Sequence, residues 1–152
     1  MSAGVQLLAL RLEGQRYGLP LASVERVVRS VEITPLPKAP EIVLGVINVR
    51  GRVIAVVDVR KRFRLPQRET ALSDSLVIAR TPARAVALLA DAVTGVVECA
   101  ENEAVPAPAI VPGMEYVEGV AKLGDGMVLI HDLARFLSLD EERRLDEAIA
   151  HA

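Results

Sequence analysis

The chain of 152 residues contains little of the chemistry on which many functions depend. It has one cysteine, Cys99, so no disulfide can form within it and a reducing compartment is expected. It has two tyrosines, two phenylalanines and no tryptophan, too few to build a surface on which nucleic-acid bases stack. Its net charge of −2 at pH 7 gives no general attraction to phosphate. Nucleic acid is therefore not an expected partner.

Long hydrophobic runs are also missing. Uninterrupted apolar stretches such as 85–90 are far too short to span a bilayer. Residues 1–14 lack the basic start and the long apolar core of a signal peptide. We therefore expect a cytoplasmic protein that does not insert into a membrane.

Catalytic and metal-binding motifs are not found. Neither His131 nor His151 has a second ligand at a metal-binding spacing, and no phosphate-binding glycine loop or nucleophile elbow occurs. A small hydrolase could use Asp58 with Asp132, or Cys99, only if these groups converged in a cleft, and helix capping explains both aspartates. We expect a protein that is not an enzyme and that uses no metal or cofactor.

An internal repeat is the main positive signal. GVINVRGRVIAVVDV (45–59) matches GVAKLGDGMVLIHDL (119–133) at an offset of 74 residues. A self-match at half the chain length indicates two copies of one supersecondary unit. Further matches occur at an offset of 69 residues: Tyr17/Val86, Leu19/Leu88, Val24/Val93, Val27/Val96 and Val28/Val97.

Each copy is predicted to form about five short strands and a turn of helix, which is typical of a small barrel. Two barrels packed together, one from each half, are the simplest architecture. Two proline-punctuated connections, at 34–40 and 104–113, are predicted to lack regular structure. The predicted strands are 6–12, 16–20, 44–49, 52–57, 75–80, 84–89, 93–99, 117–123 and 127–131, and residues 21–28 are predicted to form a short turn or helix that leads into a valine-rich strand.

The C-terminal helix is predicted over 139–150, opened by a capping box at Ser138–Glu141. Two ion pairs spaced i,i+4 are expected on its exposed face, and two apolar side chains are expected to pack inward. The pairs are Asp140/Arg144 and Arg143/Glu147, and the apolar residues are Leu145 and Ile149.

Charge is unevenly distributed along the chain. Residues 50–68 hold seven basic residues and one acid, while residues 98–118 hold five glutamates and no Lys or Arg. These segments could be solvated faces, opposite poles of a surface for head-to-tail protein contacts, or, for the basic one, a nucleic-acid patch. Arg50, in a tight turn between two strands, is either a solvated turn residue or a recognition arginine able to bind a partner carboxylate.

The run TPLPKAPEIVLGVINVRGRVIAVVDVRKRFRL (34–65) resembles the signature of the CheW-like domain of bacterial chemotaxis coupling proteins. That signature is a proline-punctuated lead, Gly-Val-hydrophobic-Asn-hydrophobic-Arg-Gly, an apolar strand, Asp-hydrophobic-Arg and Arg-Phe. Residues 7–28 resemble its opening and EYVEGVAKLGDGMVLIHDLARFL (115–137) its second half. The likeness covers essentially the whole chain.

The resemblance implies one CheW-like domain over 1–152, with repeat units of roughly 7–65 and 75–137. Its fold would be mainly β: two pseudo-symmetric, intertwined five-stranded SH3-like barrels around a shared core, with short helices and the C-terminal helix. It implies a non-enzymatic adaptor that couples chemoreceptor tips to the regulatory domain of the histidine kinase CheA in membrane-associated arrays. Flagellar and non-flagellar chemosensory systems both stay open, as does a small nucleic-acid-binding barrel.

Carried over by position, the receptor-binding residues are Val24, Gly45, Asn48, Arg50 and Gly51. Each has a structural alternative, since Val24 could be core and the two glycines could serve backbone geometry. The chain departs from the family pattern at Arg26, where an acid is common beside Glu25, and also at Ala55 and Ile42. Arg26 would invert a charge near the receptor groove.

Overall fold

The computed structural model describes most of the chain, namely residues 5–29, 32–63, 65–66, 74–99, 104–106, 117–123, 126–131 and 137–150. Within these ranges it is a β protein with a C-terminal helix. The elements are β1 (Val5–Leu12), β2 (Gln15–Pro20), a 3-10 helix (Leu21–Ser23), β3 (Val24–Arg29), β4 (Val43–Val49), β5 (Arg52–Val57), α1 (Val59–Arg62), β6 (Ser75–Arg80), β7 (Ala85–Ala90), β8 (Ala92–Cys99), β9 (Ala104–Pro106), β10 (Val117–Leu123), β11 (Gly126–His131) and α2 (Leu139–Ala150).

The strands form two sheets, and each sheet takes strands from both halves of the chain. The five-stranded sheet has the order β3-β6-β7-β5-β4, and the six-stranded sheet has the order β8-β1-β2-β11-β10-β9. The β1–β2 hairpin of the first half therefore pairs with strands of the second half, and the β6–β7 hairpin does the converse. The strands are exchanged, as the family resemblance implies, rather than collected into one barrel per half.

The sequence repeat is reproduced in the strand register. Ala55 on β5 pairs in parallel with Val86 on β7. Their counterparts in the repeat, Leu129 on β11 and Tyr17 on β2, also pair in parallel. Since the offsets of 74 and 69 residues lead to the same pairing, the two sheets are built on one plan, and the expected fold class is confirmed.

The proline-punctuated connections contribute to strand pairing, which the sequence did not predict. Thr34 forms an isolated bridge to Val46 on the outer edge of β4, with backbone hydrogen bonds of 2.9 and 2.8 Å. On β9, Val105 pairs with Val120, the counterpart of Val46. The strand β9 is thus an extended form of the Thr34 bridge, and it gives the second sheet six strands instead of five.

The alternation of side chains along each strand divides the core into clusters. On β5, Ile54 and Val56 belong to a cluster enclosed by the five-stranded sheet, whereas Ala55 and Val57 face a larger cluster shared by both sheets. The six-stranded sheet adds residues such as Leu10 to that shared cluster, where it is fully buried. The shared core holds the two sheets together, because burying each such side chain contributes about 1.5–3 kcal/mol.

The C-terminal helix begins as the sequence predicts. The Ser138 amide donates to Glu141 Oε1 at 2.9 Å and the Glu141 amide donates to Ser138 Oγ at 3.1 Å, which is a capping box. Leu145 is fully buried, but Ile149 is 37 % exposed, so the prediction that both pack inward was wrong for Ile149.

The exposed face of α2 also differs from expectation at one ion pair. Arg143 lies within reach of Glu147, at 3.5 Å, as predicted. Asp140 pairs at 2.7 Å with the same Arg143, three residues away, rather than with Arg144. The helix predicted after Asp132 lies outside the described residues, and no described helix is long and apolar enough to cross a membrane.

Candidate functional site

The β4–β5 hairpin carries the residues that the sequence singles out. Its turn residues Arg50 and Gly51 have φ angles of 51° and 83°, the left-handed pair that a two-residue type I′ hairpin requires. Asn48 fixes the turn, because its Oδ1 accepts a hydrogen bond of 2.9 Å from the Gly51 amide. Arg50 is exposed at the tip, so a rigid hairpin presents its guanidinium to solvent.

The five-stranded sheet curls so that its opposite edges approach each other at this hairpin. Arg52 on β5 donates to Glu25 on β3 at 2.9 Å, although two strands separate β3 from β5 in the sheet. In a flat sheet the two strands would lie about 14 Å apart, since neighbouring strands are spaced by about 4.8 Å. The ion pair therefore spans the open end of a strongly curved, barrel-like sheet.

A groove of about 270 Å³ opens at this end. Its floor includes Ile54 and Ile78, which belong to the cluster enclosed by the sheet. Its rim is charged and contains three arginines and one glutamate. The groove is lined by Glu25, Arg26, Val49, Arg50, Arg52, Ile54 and Ile78; we call it the rim groove.

Of the five predicted receptor-binding residues, Arg50 lines the rim groove. Val24 lies next to it at the start of β3 and packs partly against the shared core. Asn48 and Gly51 shape the hairpin turn. Gly45 is buried, and a Cβ there would collide with the Thr34 carbonyl, so its position serves the close approach of two backbones.

The charged pair at the rim was not predicted as part of the site. Glu25 and Arg52 are 27 residues apart in the sequence, and only the curl of the sheet brings them together. The hydrogen bond from Arg52 lowers the pKa of Glu25 below its ordinary value, against the opposing effect of desolvation. Glu25 is also 3.4 Å from the Nε of Arg80.

The repeat provides an internal comparison that could have revealed this rim. At the positions equivalent to the four charged rim residues, the second half has only small residues. Glu25 corresponds to Thr94, Arg26 to Gly95, Arg50 to Gly124 and Arg52 to Gly126. Because the same strand order and register form around these small residues, the charged rim is not a requirement of the fold.

The basic segment 50–68 is not one continuous basic surface. Arg60 is 7 % exposed and binds Asp91 through two hydrogen bonds of 2.7 and 2.8 Å. Arg62, whose side chain is 10 % exposed, pairs with Glu141 at 2.7 Å. These arginines serve internal contacts, and that observation weakens the nucleic-acid interpretation of the segment.

The residues considered for catalysis have structural roles in the described part of the chain. Asp58 caps α1, its Oδ1 accepting from the Lys61 amide at 3.1 Å, as predicted. Cys99 is 2 % exposed in the core at the end of β8. Asp132 lies outside the described residues. The described histidine, cysteine and carboxylate side chains form no cluster of three that could hold a metal ion.

Comparison with known proteins gives the family of the chain. A family model described as the CheW-like domain matches residues 6–141. The chain belongs to the CheW-like domain family. It is 30 % identical over 134 residues to the chemotaxis protein CheW of Rhizobium meliloti (strain 1021), covering 87 % of this chain and 86 % of that one.

Other relatives agree with this assignment. The chemotaxis protein CheW of Thermotoga maritima is 35 % identical over 98 residues, 64 % of each chain. The crystal structure of the scaffolding protein TtCheW from Thermoanaerobacter tengcongensis superposes with a TM-score of 0.84 at 32 % identity, covering 91 % of this chain and 95 % of that one. The chain is accordingly a chemotaxis scaffold protein of the CheW-like family and not an enzyme.

Proposed function

We propose that this chain couples the cytoplasmic tips of chemoreceptors to the regulatory domain of the histidine kinase CheA, and that its rim groove contacts the receptor. One observation carries the choice of site: the four charged rim positions carry charge in the half of the repeat that bears the Arg50 hairpin and small uncharged residues in the other half. Residues retained for the fold should recur in both halves. Charged side chains that occur in one half alone are better explained by a partner that binds there.

The composition of the rim groove suits a protein partner. Interfaces combine a desolvated apolar centre with a polar surround, and arginine is enriched in them. Ile54 and Ile78 supply the apolar centre and Arg50 a donor on a rigid turn. The protein would act in the cytoplasm and be recruited to membrane-associated receptor arrays through such contacts.

The test is a binding titration of the full chain against a receptor-tip fragment and, separately, against the CheA regulatory domain from the same organism. Arg50→Glu is expected to weaken receptor binding at least about thirtyfold, because the loss of an interface hot spot costs about 2 kcal/mol or more. Kinase binding should remain at the wild-type level. Arg29→Glu is the matched control, because Arg29 is an exposed arginine on β3 that does not line the groove.

Equal receptor affinity of wild type and Arg50→Glu would show that the receptor binds elsewhere. A second experiment tests the wild-type chain in a pull-down against the chemoreceptors and kinases of the same cell. The receptors and kinases that bind would assign the chain to a flagellar or a non-flagellar chemosensory system. Absence of both partners from the captured proteins would refute the coupling function itself.

A further inference from the structure

The rim groove carries more positive than negative charge. Three arginines line the groove, namely Arg26, Arg50 and Arg52, and Arg80 lies beside it as an ion-pair partner of Glu25. Glu25 is the carboxylate among the groove-lining residues. In a partly enclosed groove, the electrostatic potentials of like charges add, and solvent ions screen them less than on an open surface. The groove is therefore set up to attract carboxylates.

Glu25 already neutralises part of the positive charge of the rim. Its carboxylate accepts from Arg52 at 2.9 Å and lies 3.4 Å from Arg80. It stands at a β-bulge, since the β3–β6 register shifts between Val24 and Arg26, and a bulge redirects the side chain that it carries. The bulge thus places a carboxylate of the chain itself across the mouth of the groove.

Two arginines of the rim are not engaged in this way. Among the residues that the structure describes, Arg26 and Arg50 have no side-chain hydrogen bond or ion pair. Glu25 therefore pairs with Arg52 and Arg80, while Arg26 and Arg50 remain available to a partner carboxylate. At about 270 Å³, the groove is smaller than the roughly 300–1,000 Å³ typical of small-molecule sites. It suits one apolar side chain of a protein, seated on Ile54 and Ile78.

We propose that the rim groove binds an acidic protein segment that inserts one apolar side chain, and that Glu25 is a built-in competitor for it. A partner carboxylate pairs first with Arg26 and Arg50, and full engagement displaces Glu25 from Arg52. The identification of this segment with a receptor tip rests on the proposed function, whereas the charge selectivity rests on the groove alone. Glu25 lowers affinity and so keeps the contact reversible.

The first experiment uses a probe that is independent of any receptor. The blocked tetrapeptides Glu-Leu-Leu-Glu and Gln-Leu-Leu-Gln are titrated to millimolar concentration into the 152-residue chain, and the backbone amides of Arg26 and Arg50 are followed by NMR. The acidic peptide is expected to shift these amides at lower concentration than the neutral one. Glu25→Gln should tighten binding of the acidic peptide about two- to fivefold, the range expected for competition with an exposed ion pair.

Glu41→Gln is the charge-matched control, since Glu41 is an exposed carboxylate outside the groove, and it should bind like wild type. Equal shifts with both peptides, no shift with either, or unchanged or weaker binding by Glu25→Gln would overturn the proposal. A receptor-tip fragment serves as the second arm. If the wild type fails to bind the tip while the peptides behave as expected, the proposed function fails and the charge selectivity stands.

Discussion

At the scale of single residues, the two glycines of the β4–β5 region perform different tasks. Gly45 is buried, and a Cβ there would overlap the Thr34 carbonyl. A Cβ at Gly51 would meet nothing within 4 Å, but its φ of +83° strains any other residue. One glycine is thus required by packing and the other by backbone conformation.

We expect Gly45→Ala to cost more stability than Gly51→Ala. The collision at Gly45 is with backbone, which cannot move aside as a flexible side chain can, so the cost should lie near the upper end of about 1–3 kcal/mol. For Gly51→Ala about 1–2 kcal/mol of left-handed strain is expected. Urea unfolding of both variants measures the difference. If Gly45→Ala loses less unfolding free energy than Gly51→Ala, the backbone at the Thr34 bridge can shift to accommodate the added Cβ.

At the scale of elements, α2 is fastened to the sheets by charge as well as by Leu145. Glu142 accepts from the Nε of Arg84 at 2.7 Å, and Arg84 also pairs with Asp146. Glu141 accepts from the Ser138 amide and from Arg62. Two arginines that lie far from α2 in the sequence therefore hold the same helix.

The docking of α2 should weaken in acid. Burial raises the pKa of Glu141, but hydrogen bonds from Ser138 and from the Arg62 guanidinium outweigh burial and lower this pKa below its ordinary value. A carboxyl whose folded-state pKa is lowered adds stability above its unfolded value, and this is lost as the pH falls through the folded value. Hydrogen exchange of the α2 amides should accelerate below about pH 4.5, and less so in Glu141→Gln, which has already lost the ionisable group. An equal acceleration in that variant would assign the effect to other carboxylates.

At the scale of the whole molecule, the repeat made most of the fold predictable. Periodicity and turn residues located the strands, and the match of Tyr17 with Val86 anticipated the shared register. The exchange of hairpins between the sheets was not readable from strand patterns, because alternation does not specify which strand pairs with which. For the same reason Arg50 could be chosen from its turn, whereas the Glu25–Arg52 pair required the curl of the sheet.

A buried arginine, Arg60, lies where the two sheets meet. Arg60 on α1 binds Asp91, which follows β7, and pairs with Glu13 in the β1–β2 turn. Asp91 in turn accepts from the Glu13 amide at 3.1 Å. Burial opposes the charged guanidinium, but the hydrogen bonds that Arg60 donates to Glu13 and Asp91 outweigh burial and raise the pKa of Arg60. This cluster connects the turn of one sheet to the helix and strand end of the other.

Replacing this arginine should loosen the whole molecule rather than one strand. Arg60→Met keeps much of the apolar stem but leaves Asp91 without its guanidinium, at an expected cost of about 2–3 kcal/mol. This expected cost in unfolding free energy is below the range for breaking a fully buried pair, since Glu13 and Asp91 are partly exposed.

Guanidinium chloride unfolding followed by circular dichroism measures the loss of unfolding free energy, with Lys61→Met as a control on the neighbouring exposed cation. Because each sheet contains strands from both halves, unfolding should remain a single transition with a lower midpoint. Two separate transitions would mean that the sheets are stable independently and that Arg60 only positions them.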